Sequence, residues 1–403
     1  AIRGRMGRNR PWLFAIFLVG YVMLSAGPAW ERVSKARHGR DFATYHYAAA
    51  QVLDGDSPYD TKALSKRARK ERTRKSVHPY FYPPPFLLSV LWSPSFSLSD
   101  AYKLFFGINQ LALLACFAVF RFWFRAPWLV LGILAMGFTP ITDNAKMGQA
   151  NVLVLMAAVL GLWLRSGTAV GVAAMAKMSP ALYLFGFVAQ RRWSPIIAAI
   201  GTAIGLSLAA LPWIDWDTQW RFYTEILPGF STGHYHGLTV KIALPANHSI
   251  PDIFNQMWPG SSPHSLSENA RWASKATSLF LLMLCCWVGR FRRDRLGEAG
   301  LFGALTVLLL MTPVYTYEHH LVMAVFPAAV VGTALVDGRL GRVGWLFGLT
   351  SVFFTAWPLY WLRPLQRVIP DFHWWLQESK FFGLVGLGVL CALTAINSPR
   401  KTR

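Results

Sequence analysis

The sequence predicts an all-α polytopic membrane protein in which residues 1–403 form a single membrane-embedded domain. Hydrophobic residues make up 54% of the chain, charged residues make up 15%, and the mean hydropathy is +0.34, which is typical of membrane proteins. The apolar residues also form long runs instead of alternating with polar residues. Several runs approach the roughly 20 residues that cross hydrocarbon, so we expect about ten to eleven transmembrane helices.

Eight apolar runs are the main candidates for these helices. They cover residues 12–27, 111–120, 152–164, 196–211, 278–288, 301–311, 321–335 and 381–396. Two shorter runs, residues 86–92 and 128–139, are either further spans or re-entrant segments, which periodicity does not distinguish. The first run follows four arginines, as in a signal peptide, but its length favours a first span with a cytoplasmic N-terminus.

Basic residues between the spans predict the orientation of the chain. The positive-inside rule places the strongest basic clusters in the cytoplasm, namely those at residues 191–192, 290–295, 339–342 and 400–403. The long hydrophilic segments 29–82 and 215–270 are then the first and second exterior loops. Residues 62–75 of the first loop are also basic, and they form either an amphipathic helix that collects anionic headgroups or a solvated loop.

Several classes of protein and site are disfavoured by these patterns. We expect no nucleic-acid partner, because the basic run lies outside the membrane and lacks interleaved aromatic residues. The four cysteines all lie in apolar runs, and their spacing indicates neither a disulfide framework nor a zinc site. The histidines of the second loop, His234, His236 and His248, are metal candidates only in principle, since hard cations need carboxylates.

The most informative polar stretch follows the first span. Residues 41–53 are predicted to form a helix with Phe42, Tyr45, Ala49 and Val52 on one face, lying along the membrane surface with Asp41 at its start. From the residues alone, Asp41 is either an N-cap or a functional acid. Nearby Asp54, Asp56 and Asp60 lie in turn sequence, so we expect them to be structural.

A series of short motifs extends this stretch along the chain. In order, they are Asp41 with the aromatic residues after it, Gly55 and Tyr59, Tyr82-Pro83-Pro84, Gly148-Gln149-Ala150-Asn151, Lys177 and Pro180, Asn247-His248-Ser249, and Thr312-Pro313 before His319-His320. Their order and spacing, over about residues 12 to 335, resemble glycosyltransferase family 87. Members of that family are GT-C-fold enzymes that use polyprenyl-phosphate sugars, and they include mycobacterial mannosyl- and arabinosyltransferases.

The resemblance implies an inverting glycosyltransferase with a GT-C-type fold. It would move a sugar from a polyprenyl-phosphate donor to a hydroxyl of a lipid or glycan acceptor, in contact with membrane lipids. The resemblance assigns the catalytic base to Asp41, and one such base suffices because phosphate leaves without a strong acid. It also implies an integral protein of the bacterial plasma membrane with its site facing the periplasm, and we expect neither a cofactor nor a metal.

Eight further residues are predicted to contact substrate: Tyr45, Tyr82, Gln149, Asn151, Lys177, Asn247, His319 and His320. Lys177 is an ionisable group in an apolar segment interrupted by Pro180, and it either binds the carrier phosphate or snorkels to the interface. Asn247 is predicted to bind the donor sugar, while the histidines contact phosphate or acceptor. Gln149 and Asn151 lie on the exterior side only if one of the two short runs does not cross, and otherwise they pair polar groups between helices.

Two other functions compete with an enzyme. A transporter or lipid flippase also has many spans and an intramembrane lysine, but such folds usually carry repeated halves, which this sequence lacks. A non-catalytic partner in envelope assembly would need no fixed acid. The two long hydrophilic loops, the first headed by Asp41, favour the enzyme.

Overall fold

The computed structural model describes residues 11–35, 39–232, 240–244, 246–358, 368 and 373–398. Throughout these ranges the regular secondary structure is helical, apart from one isolated bridge between Pro259 and Leu266. The α-helices are α1 (Pro11–Tyr21), α2 (Gly27–Val33), α3 (Arg40–Leu53), α4 (Thr61–Lys70), α5 (Leu98–Trp123), α6 (Trp128–Gly137), α7 (Pro140–Met147), α8 (Asn151–Leu164), α9 (Gly167–Ala176), α10 (Tyr183–Ala189), α11 (Trp193–Ala210), α12 (Trp216–Arg221), α13 (Leu227–Thr232), α14 (Ile250–Met257), α15 (Glu268–Val288), α16 (Arg295–Met311), α17 (Val325–Val336), α18 (Gly341–Ala356), α19 (His373–Gln377) and α20 (Ser379–Ile396). Short π-helical or 3-10 segments cover Val22–Ala26, Pro84–Ser89, Ser93–Ser95, Ser179–Leu182, Phe222–Ile226 and His320–Ala324.

Four helices of the described chain are long and apolar enough to span a membrane: Trp12–Val33, Leu98–Trp123, Trp193–Ala210 and Ser379–Ile396. Five shorter apolar helices of 10–17 residues accompany them. The predicted all-α polytopic class is therefore confirmed. The total of about ten to eleven spans stays a prediction, because a helix shorter than about 17 residues does not by itself cross the hydrocarbon.

The two short apolar runs have different structures. Residues 86–92 do not form a long helix, because Pro84 and Pro85 open a 3-10 segment that ends at Ser89. Residues 128–139 form α6 and then turn at Thr139 into α7, whose first residue is Pro140. Only the second run therefore carries the chain from one end of the helical bundle to the other.

Helix α16 forms the centre of the bundle. Every residue from Leu296 to Met311 is buried, which is the pattern expected of a helix surrounded by other helices. Its closest neighbour is α20, and a Cβ atom on Gly300 would lie 2.6 Å from the carbonyl oxygen of Cys391. Glycine at this position therefore allows the two backbones to approach closely, as small residues do between membrane helices.

Polar contacts define the two ends of the bundle. At one end, which we call the arginine end, Glu298 accepts from Arg165 at 3.3 Å and from Arg192 at 2.7 Å. At the other end, the Asp41 end, the Gly39 N–H donates to the Lys146 carbonyl at 2.9 Å. Helix α8 joins the two ends over about 20 Å, at 1.5 Å per residue.

Helix α3 is surrounded by protein, and its predicted position along the membrane surface stays a prediction. All residues from Phe42 to Val52 are buried, because the chain after α4 wraps over the helix. The Phe42 ring lies 4.8 Å from Phe105, and the Tyr45 ring lies 5.0 Å from Phe86. The aromatic face that suggested a membrane contact therefore packs against the protein itself.

Within the basic run, residues 61–70 form a helix. Helix α4 buries Leu64 and Ala68 in the same hydrophobic cluster as α3, while most of its lysines and arginines stay exposed. Asp60 caps this helix by accepting from the N–H groups of Lys62 and Ala63 at 2.9 and 3.1 Å. The structural role predicted for Asp60 is thereby confirmed.

Candidate active site

Asp41 is positioned by an unusual start to helix α3. Gly39 is the N-cap residue, with φ of 73°, and no side chain caps the helix. A Cβ atom at Gly39 would lie 2.9 Å from the Tyr102 ring, so the tight turn requires glycine. Asp41 lies two residues after Gly39, as the second residue of the helix, and 13% of its side chain is exposed. The N-cap alternative for Asp41 is therefore wrong, and its carboxylate points toward other elements.

Gln149 is the direct hydrogen-bond partner of Asp41. Its Nε2 donates to Asp41 Oδ2 at 2.8 Å, across 108 residues of sequence. The Gln149 Oε1 accepts from the Tyr45 hydroxyl at 2.9 Å and from the Tyr82 hydroxyl. Because the two tyrosine hydroxyls donate to the oxygen of the Gln149 amide, the amide is oriented with its NH₂ group toward Asp41. Tyr45 is itself buried, and its hydroxyl is linked to Asp41 through Gln149.

Asn151 connects Lys177 and His319 beside the acid. The Lys177 ammonium donates to Asn151 Oδ1 at 2.7 Å, and Asn151 Nδ2 donates to the His319 carbonyl at 3.1 Å. His319 Nε2 lies 4.0 Å from Asp41 Oδ2. Asn151 also donates to Asn144 Oδ1 at 3.1 Å, which ties α7 to α8. A cation, an imidazole and a carboxylate are thus gathered in one small region.

Lys177 lies just beyond the C-terminus of α9, where the backbone becomes extended. The next regular segment is the 3-10 turn Ser179–Leu182, which includes Pro180. The helix interruption predicted from Pro180 is therefore confirmed. The ammonium is held by Asn151 beside Asp41, and binding of the carrier phosphate by this lysine stays a prediction.

The electrostatics of the site favour an acid that titrates above the usual range. Burial raises the pKa of the Asp41 carboxyl, while His78, the Gln149 hydrogen bond, Lys177 and Arg40 oppose that rise. Burial, together with the nearby Lys177 and His78, lowers the pKa of His319 to about 3, so its ring is neutral at pH 7. The basic neighbours of Asp41 thus stabilise its ionised form, while burial opposes it.

No sequence pattern predicts a functional role for His78 or Arg40. His78 is exposed in an irregular segment, and its carbonyl accepts from the Thr44 hydroxyl at 3.1 Å. Arg40 is exposed and precedes Asp41 in the chain. Neither residue stands in a hydrophobic pattern or a spacing motif, so only the fold shows that both lie near the acid.

The Asn247 side chain contacts the protein backbone, whereas the sequence predicted a contact with the donor sugar. Its side-chain N–H groups donate to the carbonyls of Ile242 and Val314 at 3.0 and 2.9 Å, and its Oδ1 accepts from Thr316 N–H at 2.8 Å. The side chain is fully buried. We therefore assign Asn247 to holding the second loop against the segment before α17, and no longer to a sugar contact.

The other sequence candidates divide between structural and undescribed positions. His320 Nδ1 accepts from the Tyr317 N–H at 3.2 Å, which orders the turn before α17. His248 is fully buried, and the structure does not describe His234 and His236. In the described ranges, no group of three His, Cys, Asp or Glu side chains has a geometry that holds a metal ion.

Aromatic contacts bring the two hydrophilic loops together over the Asp41 end. From the first loop, Tyr59 stacks on Phe222 with ring centroids 5.7 Å apart, and Phe81 contacts Phe230 at 4.6 Å. Phe230 in turn lies 5.8 Å from Tyr315. The segment that follows leads directly to His319, so both loops border the same site.

Comparisons with known proteins match a range of the chain that includes part of this site. The profile of glycosyltransferase family 87 matches residues 80–313, a range that includes Tyr82, Gln149, Asn151 and Lys177 but not Asp41. A polyprenol-phosphate-mannose-dependent alpha-(1-2)-phosphatidylinositol mannoside mannosyltransferase of Mycolicibacterium smegmatis is 26% identical over 298 residues, covering 69% of this chain and 63% of that protein.

A second relative comes from Mycobacterium tuberculosis. This polyprenol-phosphate-mannose-dependent alpha-(1-2)-phosphatidylinositol pentamannoside mannosyltransferase is 27% identical over 248 residues, covering 57% of this chain and 52% of that protein. The chain thus spans between about half and two thirds of the length of these relatives. No solved structure gives a significant match.

Proposed function

The chain belongs to glycosyltransferase family 87, and from this premise we propose that it is an inverting glycosyltransferase. In this proposal it moves a sugar from a polyprenyl-phosphate donor to a hydroxyl of a lipid or glycan acceptor, with Asp41 as the catalytic base. The observation that carries the proposal is the hydrogen bond from Gln149 to Asp41. It joins an acid outside the matched range to the part of the chain that shows the family.

The proposed reaction is a single displacement. The acceptor oxygen attacks the anomeric carbon while the bond from that carbon to the phosphate oxygen breaks, and the phosphate leaves with the electron pair. The acceptor proton passes to Asp41. Gln149 occupies Oδ2, so Oδ1 is the oxygen that takes the proton. Attack opposite the leaving phosphate inverts the anomeric configuration, and one carboxylate base is sufficient.

The cationic groups beside Asp41 suit the departing phosphate. Lys177 is an ammonium held by Asn151 on one side of the acid, and Arg40 lies on the exposed side. Fixed positive charges that face developing negative charge need no reorganisation during the reaction, which makes them effective in a site shielded from water. We assign Lys177 to the carrier phosphate.

Mannose is the first donor sugar to test. Both relatives described above are named as polyprenol-phosphate-mannose-dependent mannosyltransferases that act on phosphatidylinositol mannosides. A transfer assay with radiolabelled polyprenyl-phosphate mannose and membranes that contain this chain should yield a labelled lipid or glycan. A transporter would move the donor without forming such a product, and an assembly partner would do neither. Absence of labelled product with every sugar donor tested would contradict the enzyme.

We also propose that residues 29–82 and 215–270 face the exterior of the plasma membrane. The support is the grouping of Arg165, Arg192 and Arg339 at the opposite end of the bundle, since basic residues mark the cytoplasmic side. The reaction would then take place at the periplasmic or exterior face.

Cysteine labelling tests this orientation. Cysteines placed at Ser57 and Ser262, in a background with Cys286→Ser, should react with an impermeant maleimide in intact cells. A cysteine at Arg342, which is exposed near the arginine end, should react only after lysis. Protection of Ser57→Cys or Ser262→Cys in intact cells, together with labelling of Arg342→Cys, would reverse the orientation.

A further inference from the structure

A large groove lies at the arginine end, between helices α10 and α15. Its volume is about 730 Å³, within the range of ligand sites in proteins. The wall is mostly apolar and includes Phe185, Val188, Leu279, Leu282, Met283 and Trp287. Leu279, Met283 and Trp287 are 57%, 56% and 49% exposed, which is an unusual state for large apolar side chains unless hydrocarbon covers them.

The end of the groove is strongly basic. Arg191, Arg290 and Arg292 line it, and the lining residues, all within the described chain, include no acid. Arg191 and Arg290 are exposed, whereas Arg292 is partly buried and donates to the Gly289 carbonyl. An apolar channel that ends in three guanidinium groups matches the shape and charge of a lipid with an anionic head.

A second pocket of about 460 Å³ adjoins the groove through Arg292. It is lined by five arginines and by the acids Asp294 and Glu298. Both acids already have partners, because Glu298 pairs with Arg165 and Arg192, and Asp294 accepts from Arg339 at 3.0 Å. The electrostatic potential at the mouth of the groove is therefore positive, because Asp294 and Glu298 are paired with Arg339, Arg165 and Arg192.

We infer that this groove binds an anionic phospholipid of the leaflet at the arginine end. The phosphate lies against Arg191, Arg290 and Arg292, and an acyl chain runs along the apolar wall between α10 and α15. Guanidinium groups bind phosphate through paired N–H donors, and basic pockets between membrane helices are suited to anionic headgroups. Trp287 fits the headgroup level, where indole rings are favoured.

This site is separate from the proposed active site. Asp41 and Lys177 lie at the other end of the bundle, a helix length away from Arg165 and Arg192. A water-soluble phosphate compound would use the arginines but would leave the exposed apolar wall uncovered. The wall and the basic rim together therefore indicate a lipid, and the test below separates the two.

The test measures lipid binding to the purified full chain by native mass spectrometry. Phosphatidylglycerol should bind more tightly than phosphatidylcholine with the same acyl chains, and inorganic phosphate should not compete at equal concentration. The double variant Arg191→Gln/Arg290→Gln should weaken phosphatidylglycerol binding about 30-fold, the effect of two charges at roughly fivefold each. Phosphatidylcholine binding should not change.

Matched controls separate the groove from general surface charge and from misfolding. Arg125→Gln/Arg342→Gln also removes two exposed arginines, neither of which lines the groove. It should bind phosphatidylglycerol as the parent does. Cys286→Trp should fill the groove and weaken binding, whereas Leu284→Trp, on the same helix but outside the lining, should not.

Three results would overturn the inference. These are equal binding of the two lipids by the parent, equal losses in the two arginine pairs, and equal losses in the two tryptophan variants. Competition by inorganic phosphate would assign the arginines to a soluble anion instead. Thermal unfolding of each purified variant shows whether a loss of lipid binding comes from misfolding. A variant that unfolds at the temperature of the parent and of its control, Leu284→Trp or Arg125→Gln/Arg342→Gln, has lost binding through the groove.

Discussion

Replacing Asp41 with asparagine is expected to lower sugar transfer by about 10²- to 10⁴-fold, the range for loss of a general base. The amide has nearly the same shape, and its oxygen can still accept the hydrogen bond that Gln149 donates at 2.8 Å. The arrangement of Gln149, Tyr45 and Tyr82 should therefore persist. An amide does not take up the acceptor proton at neutral pH, so chemistry fails while donor binding remains.

The control for Asp41→Asn is Asp54→Asn in the same loop. Asp54 is exposed and pairs with Arg67, away from Gln149. The Asp54→Asn variant should transfer sugar at a rate close to that of the parent protein. Single-turnover transfer and binding of the radiolabelled donor are measured on purified protein. If Asp41→Asn keeps the parental rate, Asp41 is not the base and the proposed mechanism fails.

Lys177→Met is expected to raise the KM for the polyprenyl-phosphate donor by about 10- to 100-fold. A hydrogen bond to a charged group contributes about 1.5–3 kcal/mol, which corresponds to that range of affinity. Lys177 is the ammonium that Asn151 holds beside Asp41, so its removal takes away the charge assigned to the carrier phosphate. The donor KM of the variant should change more than its acceptor KM.

The same variant should change the pH dependence of transfer. A base acts only when ionised, so activity falls as pH falls through its pKa, and burial places that fall for Asp41 above the usual carboxylate range. The Lys177 ammonium lowers the pKa of Asp41. Its loss should therefore move the acid limb of kcat/KM to higher pH.

Lys146→Met is the matched control for the lysine. Lys146 is exposed on α7 at the same end of the bundle, but its side chain has no contact with Asn151 in the structure. Its loss should leave both the donor KM and the acid limb unchanged. Equal behaviour of the two lysine variants, or an acid limb that moves to lower pH in Lys177→Met, would remove Lys177 from the site.

The comparison of sequence and structure is clearest for Gln149. Local patterns predict where helices form, because hydrophobic runs and proline positions act within a few residues. They do not predict which side of the bundle a later helix reaches. Residues Pro84–Ser89 form a 3-10 turn and not a long helix, and in the packed structure Gln149 lies at the same end of the bundle as Asp41.

Asn247 shows the opposite outcome. Its place in the order of motifs predicted a sugar contact, but both the nitrogen and the oxygen of its amide group form hydrogen bonds with the backbone of residues 242, 314 and 316. A polar residue in a membrane protein is retained either for substrate or to satisfy buried backbone groups, and its sequence context looks the same in both cases. Only the packing of the second loop separates these roles.

The amino-acid sequence by itself determined the all-α polytopic class and the interruption at Pro180, and its resemblance to a family led to the proposal of Asp41 as the base. Each depends on composition, on a local breaker or on the order of motifs. The tertiary structure decided that Gln149 holds Asp41, that Lys177 is bound by Asn151, and that His78 and Arg40 lie near the acid. These contacts join residues far apart in the chain, so they exist only once the helices have packed.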